Sequence, residues 1–323
     1  MIDFGQLGDV VLSLSALAAI RKRFPESRIS VLSGKVPGEV IALMDGVDEA
    51  ITVDRVELRD GARLASLRKI FALVGDMRRR RFDLVIDLHS LPETNILAFL
   101  TTAKHRLLAN RESRSLDVLS NFRPKPPAED KAAHLTERYF DVLRPLGING
   151  GERSVSLTPR GADLAFVDEK YYSTLRRPPV GLFPGAGHPD RCWPLDKFAK
   201  LSHQIAGMGM SPVVFLGPEE AGMRDEAAKT FHHDATIVDG LSIPQFIAAA
   251  SRLAAFVTND TGPMHLAACS GTPILLLLDG KAPDTYLPMT KKLAVVRGEN
   301  IRDIAVTQVE KALDDLLSAE HIW

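Results

Sequence analysis

The stretch Phe256 to Leu278, FVTNDTGPMHLAACSGTPILLLL, sets the tightest limits on what this chain can fold into, because it reads as strand, polar loop, helix and strand in succession. Phe256 and Val257 close an apolar run, Thr258 to Gly262 form a loop of cap and turn residues, and Pro263 stands where the first helical position belongs. The helix ends at Ser270-Gly271, and Pro273 opens the apolar run Ile274 to Leu278. A run without polar alternation suits the middle of a parallel sheet covered on both faces. The segment also aims a helix N-terminus out of a sheet edge, where unpaired N–H groups and about half a positive charge of helix dipole suit an anion such as a diphosphate. Asn259, Asp260, Thr261 and His265 offer polar contacts beside it. On this segment alone an equal alternative stands, in which Asp260 or Thr261 only caps the helix and His265 is an ordinary satisfied histidine.

The same alternation runs through the rest of the chain. Met1 to Phe4 is a short strand, Gly5 to Gly8 a loop, and Asp9 the expected N-cap of a helix reaching about Phe24, with Val10, Leu14, Leu17 and Ile20 on one face. Asp9 is therefore either a cap or a carboxylate at the ligand-binding edge of the first strand. Leu64 to Arg80 reads as a helix whose basic end, Arg78 to Arg81, is a solvated terminus or a patch for an anionic acceptor or acidic membrane. Asp83 to Leu88 is a strand, His89 to Asn95 its loop, residues 111–131 a polar excursion, and His134 to Leu146 a helix. Residues 147–179, with glycines and Pro178-Pro179, read as interdomain sequence. Strands at Val180 to Phe183 and Pro212 to Leu216 then restart the pattern, and a terminal helix at Val306 to Leu317 is free to pack on either half. The expected architecture is α/β, with two doubly wound parallel-sheet domains at residues 1–165 and 166–323 and a cleft between them. At 323 residues each half is large enough for its own core.

Composition removes several classes of function. A formal net charge of -1 implies no nucleic-acid partner. Cys192 and Cys269 lie far apart, which fits a reducing compartment and no metal-ligand spacing. Asp3 and Asp9 precede the apolar VVLSLSALAA where a signal peptide would carry cations, and no apolar run approaches a membrane span, so the reading is cytoplasmic. There is no Gly-x-Gly-x-x-Gly, no P-loop, no His-Glu-x-x-His and no Asp-x-Asp. Any diphosphate must then be neutralised by basic residues and helix N-termini rather than by a metal.

Four motifs carry a resemblance. Gly8-Asp9-Val10-Val11 precedes a helix; Pro184-Gly185-Ala186 is followed by Arg191-Cys192-Trp193-Pro194; Leu216-Gly217-Pro218-Glu219-Glu220 closes a strand; and Asn259-Asp260-Thr261-Gly262-Pro263-Met264-His265 leads to Gly271-Thr272-Pro273. In order and spacing this resembles glycosyltransferase family 9, the lipopolysaccharide heptosyltransferases. The resemblance implies a GT-B fold of two Rossmann-like domains, with the nucleotide-sugar held mainly by the C-terminal one. It further implies inverting, metal-independent transfer of heptose from ADP-heptose to a lipopolysaccharide inner-core acceptor, with no cofactor.

Carried over residue by residue, the family pattern makes Asp9 the general base, and a capping role would lower its pKa and weaken it. Arg191 stands where relatives often carry a lysine facing the diphosphate, and Asp260, Thr261, Gly262 and His265 hold sugar and phosphates. Pro184, Gly185 and Ala186 belong to the same donor site, Glu220 accepts from the ribose hydroxyls, and Leu241 packs on adenine. Such an enzyme would meet an anionic glycolipid at the inner face of the inner membrane. There are departures: the first strand is short, and Asp3 stands where relatives commonly have arginine. Two alternatives stay open, a non-catalytic nucleotide-sugar-binding relative and another GT-B enzyme such as a nucleotide-sugar 2-epimerase.

Overall fold

A computed structural model describes residues 1–54, 57, 63–231 and 235–319, with residues 63–65 described by their backbone alone. The chain divides into two compact units, Met1–Arg153 with Thr285–Leu287, and Ser154–Asp284 with Pro288–Trp323. Each is built on a parallel sheet.

In the first unit the strands are β1 (Ile2–Asp3), β2 (Ser30–Gly34), β3 (Glu49–Val53), β4 (Leu84–Asp87) and β5 (His105–Leu108), ordered β3-β2-β1-β4-β5. Its helices are α1 (Leu7–Arg23), α2 (Lys35–Ile41), α3 (Arg63–Arg79), α4 (Pro92–Leu100) and α5 (Leu135–Leu143). The chain leaves β1 toward β2 on one side and returns to β4 on the other, so the topological switch lies between β1 and β4, where Ile2 is in register with Asp87. Ile2, Leu32, Val85, Leu97 and Met77 fill one side of the sheet, and α1 packs along α5.

Asp9 is not the N-cap of α1. Gln6 caps, the helix begins at Leu7, and Asp9 reaches back from the third helical position to accept the Gln6 N–H at 3.2 Å. An acidic residue three positions into a helix answers the exposed amide of the cap, the second half of a capping box. The loop after β4 is also shorter than its composition suggests. It ends at Leu91, because Pro92 opens α4 with its ring already at a helical φ.

The second unit contains β6 (Pro179–Phe183), β7 (Ser211–Leu216), β8 (Thr236–Asp239), β9 (Ala255–Asn259), β10 (Ile274–Asp279) and β11 (Leu293–Gly298), in the order β11-β10-β9-β6-β7-β8. The helices are α6 (Gly161–Val167), α7 (Leu195–Gly207), α8 (Arg224–Phe231), α9 (Ile243–Ala250), α10 (Gly262–Cys269) and α11 (Val306–Ala319). On one face Val214, Val257, Leu275 and Leu277 meet Phe198 and Leu201 of α7 and Val309 and Leu313 of α11. On the other, Phe215, Phe246 and Phe256 pack edge to face with ring centroids 5.5–5.9 Å apart. Both faces are thus covered, which explains the unbroken apolar strand Ile274 to Leu278.

The units part at Arg153 and Ser154, twelve residues before the boundary expected between 165 and 166. The reason is α6, which packs on α9 of the second unit, while the Leu157 N–H just before it bonds the Cys269 carbonyl at 2.8 Å. The glycine-rich turn around 147–151 belongs to the first unit, and most of the presumed linker belongs to the second. The terminal helix α11 lies on α7, β9, β10 and β11 of its own unit.

Candidate functional site

The switch point of the second sheet falls between β6 and β9, whose loops diverge there. Asn259, the last residue of β9, is fully buried at that point. Its Nδ2 donates to the carbonyls of Pro184 at 2.9 Å and Gly185 at 3.0 Å, and its Oδ1 accepts the Trp193 N–H at 3.1 Å. One amide therefore fastens three sequence motifs together. Trp193 is fixed in turn by an Nε1 bond to the Ile304 carbonyl at 3.0 Å and an edge contact with Phe198.

The candidate donor residues lie in a row along the carboxyl edge of adjacent strands. Asp260, Thr261, Gly262 and His265 follow β9, Pro184 to Ala186 follow β6, Glu220 follows β7, and Leu241 follows β8. Arg191 closes a short 3-10 turn, Pro189–Arg191, and brings Nη1 to 3.6 Å from Asp260 Oδ2. Burial raises the Asp260 pKa and the Arg191 charge opposes that rise. Thr261 sets the entry to α10 in extended backbone, yet its hydroxyl does not cap the helix: Oγ1 is buried with no hydrogen-bond partner among the described residues. Helix α10 starts at Gly262, so Pro263 is its second residue rather than its first. His265 is buried on α10. Leu241, half-buried, precedes Ser242, which caps α9 through a reciprocal bond with Gln245.

Glu220 is buried between two glycine loops. Its Oε2 accepts the Gly217 N–H at 3.1 Å, and a Cβ built on Gly185 would run into the carboxylate. The Pro-Gly-Ala motif is thus glycine at its centre because an acid packs against its backbone. Burial, and then the charge of Glu219, push the Glu220 pKa up.

The first unit holds its own cluster at the β1/β4 switch. Asp3 is fully buried and accepts the Gly5 N–H at 3.0 Å. Asp87, also fully buried, accepts from Ser90 N–H at 2.7 Å and Asn95 Nδ2 at 2.8 Å; burial is the larger effect and lifts its pKa to about 6. Asp9 is half-buried, and burial raises its pKa against the Gln6 bond and the charges of Arg111 and Arg138. This reverses the expectation of a lowered value, because desolvation outweighs the single capping bond. Arg111 and Arg138 are themselves buried and share Glu129, whose Oε1 lies 3.2 and 3.3 Å from them.

Several of these residues escape a reading of the sequence. Arg111 opens a polar stretch that looks like plain loop. Arg138 falls among Leu135, Tyr139 and Val142 on the buried face of α5, and a charge inside an apolar stripe is the signal that marks it. Among the described residues no group of three or more His, Cys, Asp or Glu side chains gathers as metal ligands, and no helix is long and apolar enough to cross a membrane.

Two Rossmann-like parallel-sheet units, each with polar residues at its switch point, give the chain the GT-B fold. The chain belongs to glycosyltransferase family 9 (heptosyltransferase), whose model matches residues 70–314. It is 26% identical over 307 residues to lipopolysaccharide heptosyltransferase 2 of Escherichia coli K12, covering 90% of this chain and 85% of that protein. Among solved structures, a glycosyltransferase family 9 protein from Veillonella parvula matches with a TM-score of 0.82 at 23% identity, covering 98% of this chain and 96% of that one. E. coli ADP-heptose lipopolysaccharide heptosyltransferase II matches with a TM-score of 0.81 at 21% identity, covering 99% and 98%.

Proposed function

We propose that this enzyme is an inverting, metal-independent glycosyltransferase that moves heptose from ADP-heptose to an inner-core acceptor of lipopolysaccharide at the inner face of the inner membrane. The observation that carries the reading is the donor row itself: Arg191 paired with Asp260, the buried Thr261 hydroxyl and the α10 N-terminus stand at one switch point. Cation and helix N–H groups supply the positive charge that a diphosphate leaving group needs. Glu220, held by Gly217 and backed by Gly185, presents a carboxylate that accepts from ribose hydroxyls, and Leu241 packs on the base. The names of the relatives support heptose as the sugar and lipopolysaccharide as the acceptor.

Asp9 is the general base. It takes the proton of the acceptor hydroxyl as that oxygen forms a bond to the anomeric carbon, on the face opposite ADP. The bond from the anomeric carbon to the diphosphate oxygen breaks, and ADP leaves with the electron pair. A carboxylate whose pKa is raised by burial is a stronger base than a solvated one, and the charges of Arg111 and Arg138 oppose that rise and favour its ionised form. Base catalysis of this kind is worth about 100- to 10,000-fold.

Calorimetric titration with ADP-heptose, ADP and UDP in excess chelator tests the donor half of this reading. ADP and ADP-heptose bind, UDP binds more weakly, and Asp260→Ala loses at least about tenfold in affinity, since a charged contact is worth about 1.5–3 kcal/mol. Silence with all three nucleotides contradicts it.

A further inference from the structure

Of the ten large apolar side chains that stand exposed among the described residues, seven fall within one part of the first unit, on α3, α4 and the loop after β5. Scattered exposed apolar groups need no explanation, but a concentration of this kind does. On α3, Leu67, Ile70 and Phe71 follow helical i, i+3, i+4 spacing, and Phe71 is 73% exposed. On α4 the buried face carries Thr94, Asn95, Leu97 and Ala98, while the outward face carries Ile96 and Phe99 where a surface helix normally shows charge. The loop adds Leu116 and Val118, the latter 82% exposed.

These pieces are tied to one another. Helix α3 packs beside α4, and Arg78 Nε donates to the Leu100 carbonyl at 2.8 Å, joining the two C-terminal ends. The 3-10 turn Asp117–Leu119 packs on α4, and the Leu116 N–H bonds Asn95 Oδ1 at 2.7 Å. Cations are interleaved with the apolar groups: the Arg106 guanidinium lies 5.4 Å from the Phe99 ring centroid, Arg68 and Lys69 sit between Leu67 and Ile70, and Arg123 and Lys125 are exposed beyond Val118. Asp76 pairs with Arg79 and Arg80, Asp117 with Lys125 and Glu57 with Lys69, and the excess charge rests with Arg68, Arg106 and Arg123, which pair with no acid among the described residues; Arg106 and Arg123 bond backbone carbonyls instead. Glu93 lies at the far end of α4 from the Arg78 bond.

We propose that this face of the first unit, built from α3, α4 and the 116–118 loop, is a docking surface for an anionic lipid bilayer. Leu67, Ile70, Phe71, Ile96, Phe99 and Val118 enter the boundary between headgroups and acyl chains, and the surrounding arginines and lysines meet the lipid phosphates. The charge excess selects this occupant over a second copy of the chain, which would oppose cation to cation across a two-fold interface. The proposal rests on the heptosyl-transfer reading only for the acceptor's place in a lipid layer.

Co-sedimentation with vesicles tests it, using phosphatidylcholine alone and phosphatidylcholine with phosphatidylglycerol at about three to one. The wild type binds the anionic vesicles, binds the neutral ones weakly, and is released as salt rises from about 0.1 to 0.5 M. Phe71→Ser/Phe99→Ser lowers partitioning at least about tenfold through lost apolar burial, and Arg68→Glu/Lys69→Glu lowers it on anionic vesicles alone. Both variants keep the wild-type melting temperature and ADP affinity. Absence of wild-type binding, or a Phe71→Ser/Phe99→Ser variant that binds as the wild type does, overturns the proposal. So does a concentration-dependent dimer that the same variant breaks, which would give the face to a second copy. Vesicle binding and nucleotide binding are read separately, so a failed donor titration with intact vesicle binding defeats the transferase reading alone.

Discussion

At the scale of single residues the chemistry turns on how burial competes with hydrogen bonds. Asp9 accepts one helix amide and faces two arginines, all of which favour its charged form, yet desolvation prevails and its pKa rises. Protonated Asp9 cannot accept a proton, so kcat/KM should fall as pH drops through a limb lying above the ordinary aspartate value of about 3.9. Arg111→Gln or Arg138→Gln removes a cation that lowers this pKa, and should move the limb upward in a pH–rate profile; an unmoved limb would mean these arginines do not set the base. Asp87 gives a stability prediction. Its folded value of about 6 lies above the ordinary aspartate value of 3.8, so folding favours the proton. That contribution is complete below the unfolded value and is lost as pH rises through the folded one, a change of about 3 kcal/mol. Urea unfolding should show this loss between about pH 4 and 7, and Asp87→Asn should lack that component. The position of Asp9 is legible in the sequence because Gly-Asp-Val-Val precedes an apolar helix. The sense of its shift is not, because it is set by burial, which a linear sequence does not display, acting against Arg111 and Arg138 from more than 100 residues away in the chain.

At the scale of elements, the second unit's site depends on one buried amide and one glycine. Asn259 makes three hydrogen bonds that join the ends of β6 and β9 to the Trp193 segment. At about 1 kcal/mol each, Asn259→Ala should cost about 3 kcal/mol in chemical unfolding and weaken ADP binding with it. Gly185→Ala drives a methyl into the Glu220 carboxylate. It should destabilise by about 1–3 kcal/mol, and Glu220→Ala in the same chain should recover most of that loss; strict additivity in this double-mutant cycle would show that the two do not touch. The strands with apolar runs, such as Ile274–Asp279, are legible from composition. Strand β5 is not, because His105 and Arg106 at its start leave only Leu107 and Leu108 as an apolar signal, and α6 hides in a stretch whose glycines and charges suggest a linker.

At the scale of the whole molecule, both sheets obey the same rule. In each, the polar residues gather where consecutive strands part to opposite sides: Asp3, Asp9 and Asp87 at the β1/β4 switch, and the Asn259 to Gly262 loop with Pro184 to Ala186 at the β9/β6 switch. That repetition is why the fold could be read from alternation alone, while the boundary between units could not: it depends on which core α6 joins. We propose Asp9 as the base of the transfer. The most direct test is ADP release from ADP-heptose in the presence of inner-core lipopolysaccharide acceptors and excess chelator, comparing the wild type with Asp9→Asn. The account predicts acceptor-dependent release by the wild type and a loss of about 100- to 10,000-fold in Asp9→Asn with donor affinity unchanged. Release at the wild-type rate by Asp9→Asn, or none from the wild type, would contradict it.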